Sequence, residues 1–237
     1  MDYSEFIPAI LGAVTGGGIS LLTQDLSFRR QERLRKKLQK KSDILKREHE
    51  KKIQSQHAYI VLIKINRCCT EINLFNNLIK ETISKTEARG GTLSQNFVPI
   101  LADPSEINFT AEELLVIKEI CSTKTIQNII DLPYITNSHI ASFSHLRKLK
   151  SDIACVPAIG KIDADGVATM SYEDQNAIRS KILLFEMDSV LNSIRTTIPK
   201  DRAHAFRVFK NTQDEFTSYF GKSELGIFWD IDRHLEQ

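Results

Sequence analysis

Few residues in this chain stand at the spacings that chemistry requires, and each such set is incomplete. Asp201 and His204 are three residues apart, so on one helix they would share a face, as in half of a di-metal carboxylate site. A single pair is not a site, and the charged start of a helix explains Asp201 as well. We therefore predict neither a catalytic residue nor a metal ligand here.

Other familiar motifs fail at identifiable positions. The zinc motif H-E-x-x-H begins at His49, but Ile53 occupies its last position. Residues 163–166 (DADG) predict a turn and resemble a calcium loop, yet the first and last ligand positions would be Lys161 and Tyr172. Neither a nucleophile elbow, G-x-S-x-G, nor the R-x(4 to 6)-H motif of helical ribonucleases is present. The sequence thus predicts no enzyme, no metal and no cofactor.

The cysteines are typical of a reducing compartment. Cys68 and Cys69 are adjacent, Cys121 and Cys155 are isolated, and no C-x-x-C pair occurs. Such spacing forms no disulfide framework of the kind found in small secreted domains. We predict that all four are reduced packing residues.

The strongest pattern lies in the first forty residues, where an uncharged segment precedes a basic one. The segment FIPAILGAVTGGGISLL, from Phe6 to Leu22, contains seventeen residues without a charge. As a helix it would be about 25 Å long, against a hydrocarbon core of about 30 Å, and continuation to Leu26 reduces the mismatch. We predict that residues 1–26 form a membrane anchor.

One face of this anchor carries small residues. Gly12 and Gly16 form a G-x-x-x-G motif, and Ala13 lies beside them. Such a face lets two helix backbones approach closely within a bilayer. We predict that the anchor self-associates through Gly12, Ala13 and Gly16.

Three alternatives compete with an anchor over this segment. A cleaved secretory signal has a positive leader, whereas Asp2 and Glu5 make this leader acidic. A phosphate-binding loop lacks its lysine, and Leu21 stands where G-x-G-x-x-G requires the last glycine. A helix buried in a soluble core is compatible with seventeen residues and stays open.

A strongly basic segment, which we call the stalk (residues 27–56), follows the anchor. From Ser27 to Lys52 there are twelve Lys and Arg against four acidic residues, a net charge of +8. Because the whole chain carries +2, the remainder carries −6. Basic residues beside a span stay in the cytoplasm, so the N-terminus is predicted to lie outside the inner membrane and the rest of the chain inside.

We predict that the first cations of the stalk contact anionic lipid headgroups. These residues are Arg29, Arg30, Arg33, Arg35, Lys36, Lys37, Lys40 and Lys41. Nucleic-acid binding would use the same charges. The neighbouring apolar segment and the lack of interleaved aromatic residues favour lipid, but a nucleic-acid partner stays open.

Beyond the anchor, apolar residues recur at helical spacing nearly throughout, so we predict an all-α fold. It comprises a single transmembrane helix, a long basic helical stalk and a cytosolic helical bundle formed by residues 57–237. The first bundle helix is predicted to end before Gly90 and Gly91, and its apolar stripe is Val61, Ile65, Cys68, Ile72, Phe75 and Ile79. A stripe this short favours a bundle over a long coiled coil.

Later helix boundaries are predicted from caps and prolines. Thr110 with Glu113 and Ser171 with Asp174 have the spacing of capping boxes. Pro133 and Pro199 are predicted to interrupt helices. The last helix carries an aromatic stripe, and residues 225–231 are predicted to form a short terminal cap; the stripe is Phe206, Phe209, Phe216 and Phe220.

The layout of the chain resembles a known group of proteins. A glycine-rich span, FIPAILGAVTGGGISLL, is followed by the basic FRRQERLRKKLQKK and a helical domain. Over about the first sixty residues this is similar to small membrane-anchored effectors of bacterial anti-phage defence, including retron-associated transmembrane proteins. The resemblance implies a cytosolic protein partner that restrains the chain until infection, after which the anchors cluster and the inner membrane loses integrity.

Two other functions remain open at this point. One is a passive membrane-tethered scaffold for a cytosolic protein, which would use the same anchor without disturbing the membrane. The other is a soluble nucleic-acid-binding protein, in which the N-terminal helix is buried and the stalk contacts phosphates.

Overall fold

The structure is a computed structural model. It describes the backbone of residues 6–99, 104–157, 159–162, 168–171 and 174–221, and the side chains of residues 28–99, 104–157 and 175–221. Helices account for most of this backbone: α1 (Phe6–Arg89), α2 (Leu93–Asn96), α3 (Ala111–Ile120), α4 (Thr123–Ala154) and α5 (Asp174–Phe220).

The predicted all-α class is confirmed for the described residues, with one small addition. Strands β1 (Ile159–Ile162) and β2 (Ala168–Ser171) form a two-stranded antiparallel hairpin between α4 and α5. Its register pairs Ile159 with Ser171. Helical spacing could not indicate this hairpin, because four-residue strands are too short to show a period of their own.

The chain divides into two units, Met1–Gln54 and Ser55–Gln237. Helix α1 contributes residues to both, and we call the second unit the body. The predicted stalk ends close to this division, at residue 56. Among the side chains that the structure describes, no helix has a stretch that is both long and apolar enough to cross a bilayer. The predicted anchor, residues 1–26, lies outside those side chains.

The core of the body forms around the second half of α1. All six residues of the predicted stripe are buried, at 4% exposure or less. Phe75 stacks on Phe143 of α4, with ring centroids 4.2 Å apart. On α5, Met187, Ile198 and Phe216 are fully buried in the same core. The apolar period in the sequence therefore identified the buried face correctly.

Both predicted interruptions at proline are wrong. Pro133 lies inside α4 and Pro199 inside α5. An interior proline removes one helical hydrogen bond and costs about 3 kcal/mol. Pro133 is itself buried beside Leu132, and the Thr136 hydroxyl donates to the Leu132 carbonyl at 2.9 Å. Burial of that turn outweighs the lost bond.

Pro199 deprives the Arg195 carbonyl, four residues earlier, of its helical N–H donor. In the preceding turn the hydroxyl of Thr196 donates to the Ser193 carbonyl at 2.8 Å, and that of Thr197 donates to the Ile194 carbonyl at 3.3 Å. Buried Ile194 and Ile198 hold this part of α5 against the core.

One of the two predicted capping boxes is confirmed. Glu113 accepts a hydrogen bond from the Thr110 backbone N–H at 2.8 Å, while the Thr110 hydroxyl accepts from the Glu113 N–H at 3.4 Å. The second is wrong, because Ser171 is the last residue of β2 and α5 begins only at Asp174. The predicted turn at 163–166 and the terminal cap at 225–231 lie outside the described residues.

Candidate functional site

The stalk presents its charges to solvent on every side. All residues from Phe28 to Ile53 are exposed, including the eight cations predicted to contact headgroups. Glu32 and Lys36, one turn apart, form an ion pair of 2.6 Å. The hydrogen bond from Lys36, with its positive charge, lowers the pKa of the Glu32 carboxyl. A surface of this kind attracts anions of any source, because no cation in it is buried.

The predicted self-association residues Gly12, Ala13 and Gly16 belong to the backbone of α1, and their surroundings lie outside what the structure describes.

Asp201 has a different role from the one predicted. It lies inside α5, not at a helix start, and its Oδ2 is 2.8 Å from Nε2 of His139 on α4. The His139 side chain is 8% exposed. His204 is not part of this pair, and no group of three His, Cys, Asp or Glu side chains within the described ranges is arranged to hold a metal ion. The pair is therefore a side-chain hydrogen bond that joins α4 to α5.

Three of the four cysteines are packing residues, as predicted. Cys68, Cys69 and Cys121 are buried, but Cys155 is exposed, so the prediction is wrong for Cys155. Burial raises the pKa of the Cys68 thiol to about 11, although a hydrogen bond with Thr136 opposes the shift. Burial also raises the pKa of Cys121 to about 12. These thiols stay protonated at neutral pH and are poor nucleophiles.

A carboxylate of α5 caps the start of α4. Glu215 accepts hydrogen bonds from the Ser122 N–H at 2.7 Å, from the Ser122 hydroxyl at 2.9 Å and from the Thr125 hydroxyl at 2.7 Å. Burial opposes ionisation of Glu215, but these bonds outweigh it and lower the pKa of the carboxyl. The negative charge also lies favourably at a helix N-terminus.

A second carboxylate of α5 serves the short helix α2. Asp188 accepts from the N–H and the hydroxyl of Ser94, at 2.8 and 3.0 Å. Lys150 of α4 donates to the Ser94 carbonyl at 3.0 Å. The sequence does not show either capping carboxylate, because each acts about ninety residues away from the backbone that it caps.

A cavity of about 170 Å³ lies between the second half of α1 and α5. Its polar lining comes from Asn76 and Lys80 on α1 and from Arg195 and Arg202 on α5. No linear motif could have indicated it, because the two lining segments are more than a hundred residues apart in the sequence. The only sequence signal is that Lys80 and Arg195 each adjoin a buried isoleucine of an apolar stripe.

Comparison with protein-family models, with curated proteins and with solved structures finds no match to this chain. A function must therefore be inferred from the residues and their geometry.

Proposed function

We propose that the chain is a single-pass protein of the bacterial inner membrane, anchored by residues 1–26, with its N-terminus outside and its body in the cytoplasm. The order of residues along α1 carries this proposal. Seventeen uncharged residues precede a run of exposed cations within one continuous helix. That order is typical of a span followed by its cytoplasmic flank.

The exposed stalk is proposed to contact anionic headgroups. A cation near a negatively charged bilayer contributes about 1 kcal/mol, and the attraction decays over a Debye length of about 10 Å. The eight cations from Arg29 to Lys41 lie within three helical turns or so of one another, and all are exposed. They are the stalk residues nearest to the anchor, so their contribution to binding should be the largest.

For its role, we propose a non-enzymatic effector or adaptor in bacterial antiviral defence, released by a cytosolic protein partner to act on the membrane. The resemblance of the first sixty residues or so to membrane-anchored effectors supports this role. The G-x-x-x-G face supplies a surface through which released anchors would cluster. A passive tether would have the same anchor but would not damage the membrane, so the two roles predict different membrane potentials.

Expression of the full chain in bacteria, followed by fractionation and by a membrane-potential dye, tests the proposal. We expect the chain to resist alkaline extraction from membranes, because a spanning helix is held by its apolar surface and not by charge. We also expect depolarisation on expression, and its loss in Gly12→Leu/Gly16→Leu, which separates the paired backbones.

Gly18→Leu is the matched control for that variant. Gly18 lies about 200° around the helix from Gly16, at 100° per residue, so the same substitution there leaves the predicted face intact. Membrane retention without depolarisation would support the tether and contradict the effector. Recovery of the intact chain in the soluble fraction would overturn the anchor and favour the nucleic-acid-binding alternative.

A charge variant tests the stalk separately. Neutralising Arg29, Arg30, Arg33 and Arg35 to Gln in the purified full chain should reduce its preference for anionic over zwitterionic vesicles by tenfold or more, at about 1 kcal/mol per residue. The control neutralises four exposed cations of the body, namely Lys118, Lys124, Arg179 and Lys181. Equal losses in both variants would show that net charge, and not the stalk, sets the preference.

A further inference from the structure

Two cations, Lys80 and Arg195, line the cavity between α1 and α5. Among the described residues, neither Lys80 nor Arg195 takes part in an ion pair. Glu81 and Asp188, which lie on the same two helices, are bound to other groups. Glu87 lines the adjacent cleft with Arg195 without pairing with it. Within the described part of the chain, the cavity therefore carries positive charge from Lys80 and Arg195 that no carboxylate neutralises.

A third cation is held in a fixed position in the wall of the cavity. The Nε of Arg202 donates to the Oδ1 of Asn73 at 2.7 Å, and the guanidinium lies 5.2 Å from the centre of the Phe206 ring. An arginine oriented in this way loses little further freedom when an anion arrives. Its planar group suits the oxygens of a phosphate.

A buried amide opens on the same space. Asn76 is 3% exposed and lines the cavity, yet its side chain makes no hydrogen bond to any residue that the structure describes. Since no fully buried side-chain N or O atom in the described ranges lacks a hydrogen-bond partner, the amide atoms of Asn76 are accessible from the cavity. An oxygen of a bound ligand would complete this site.

The floor of the cavity is apolar and has a definite size. Ile79 and Ile198, at 4% and 0% exposure, line it beneath the charged rim. Its volume is about 170 Å³ and it opens to solvent, so it has room for a benzene-sized group on the isoleucines with a charged group at the opening. Together these features point to a ligand with an anionic head and a small apolar body.

We propose that this cavity binds a phosphomonoester whose substituent is apolar and about the size of benzene. The phosphate lies between Lys80, Arg195 and Arg202, and the substituent rests on the isoleucine floor beside Asn76. This site belongs to the body alone and does not depend on the membrane anchor. Its occupancy would hold α1 and α5 together, which gives the body a way to respond to a small molecule.

Titration of the full chain with phenyl phosphate, followed by calorimetry, tests the proposal. We expect saturable binding of one equivalent, weaker binding of inorganic phosphate and none of benzyl alcohol. Arg195→Gln should weaken phenyl phosphate binding by about tenfold, the usual loss for one charge-assisted hydrogen bond. Asn76→Leu, which keeps the number and branching of the side-chain heavy atoms but removes the amide, should also weaken it.

Arg207→Gln is the matched control, since Arg207 is an exposed arginine of the same helix that does not line the cavity. The affinity of Arg207→Gln for phenyl phosphate should equal that of the unmodified protein. No saturable binding of phenyl phosphate, or equal losses in Arg195→Gln and Arg207→Gln, would overturn the proposal. Inorganic phosphate binding as tightly as phenyl phosphate would contradict the role assigned to the isoleucine floor.

Discussion

The two halves of helix α1 have the same backbone conformation but opposite surroundings. From Phe28 to Ile53 every side chain is exposed, and Lys and Arg predominate. From Ala58 to Ile79 an apolar residue is buried at each turn and packs against α4 and α5. A helix can thus be specified in two ways, by charge and propensity in one half and by tertiary burial in the other. The two halves should differ in stability and in sensitivity to mutation.

Hydrogen exchange gives the largest expected difference. Both halves have regular backbone hydrogen bonds, but the stalk has little buried apolar surface to resist local opening. We expect amides of residues 30–52 to exchange at least a hundredfold faster than those of residues 58–79, measured by mass spectrometry of peptides. Equal protection in the two segments would show that the stalk is covered in solution.

A large core residue provides the next largest effect. Phe75→Ala removes a ring that is 1% exposed and stacked on Phe143, so it should reduce the free energy of unfolding by about 3–5 kcal/mol. The control in the stalk is Leu38→Ala, which should change it by less than about 0.5 kcal/mol because Leu38 is 67% exposed. Urea denaturation of the full chain in mild detergent measures both. A similar cost for the two variants would remove the distinction between the halves.

Two carboxylates with lowered pKa values, one in the body and one in the stalk, allow the pH dependence of stability to be compared between the two regions. Glu215→Gln should cost about 1–2 kcal/mol at pH 7, because it weakens the bonds to Ser122 and Thr125. Since the folded-state pKa of Glu215 lies below its ordinary value of 4.5, this stabilisation is present above that pH and is lost as pH falls further. The difference in the free energy of unfolding between Glu215→Gln and the unmodified protein should therefore be smaller at pH 3 than at pH 7.

Glu32→Gln is the stalk counterpart of that variant. The pKa of Glu32 is also lowered, but the group is exposed and, among the described residues, is paired with Lys36 alone, so its loss should leave urea unfolding unchanged at either pH. A pH-dependent effect of Glu32→Gln as large as that of Glu215→Gln would contradict the prediction that an exposed ion pair of the stalk adds little to the free energy of unfolding.

Thiol labelling gives the smallest effect and reports on the body alone, because the stalk contains no cysteine. In the native protein only Cys155 is exposed, so one of the four thiols should react rapidly with a disulfide reagent. The other three should react only after unfolding, since burial both shields them and raises their pKa values. Rapid reaction of two or more thiols would indicate a looser core than the structure shows.

The sequence predicted the features that depend on local periodicity. The buried stripe from Val61 to Ile79 and the capping box at Thr110 are set by residues within a few turns of each other, so their pattern survives in a single sequence. The breaks predicted at Pro133 and Pro199 failed because burial of the neighbouring Leu132 and Ile198 outweighed a local cost of about 3 kcal/mol. Residue type alone cannot report that balance.

The sites were less predictable than the fold. The charge of the stalk is visible in the sequence, because all of it lies in one segment. The His139–Asp201 pair and the cavity beside Arg195 bring together residues from helices far apart in the chain. Their partners could be recognised only after α4 and α5 had been packed against α1.

The bond between Arg202 and Asn73 joins residues 129 positions apart. During synthesis at 5–20 residues per second, the apolar side of α1 leaves the ribosome on the order of ten seconds before the part of α5 that covers it. Throughout that interval the nascent chain exposes an apolar surface next to the basic stalk. Chaperone capture of that surface, as much as equilibrium stability, should therefore limit how much of this protein reaches its mature form.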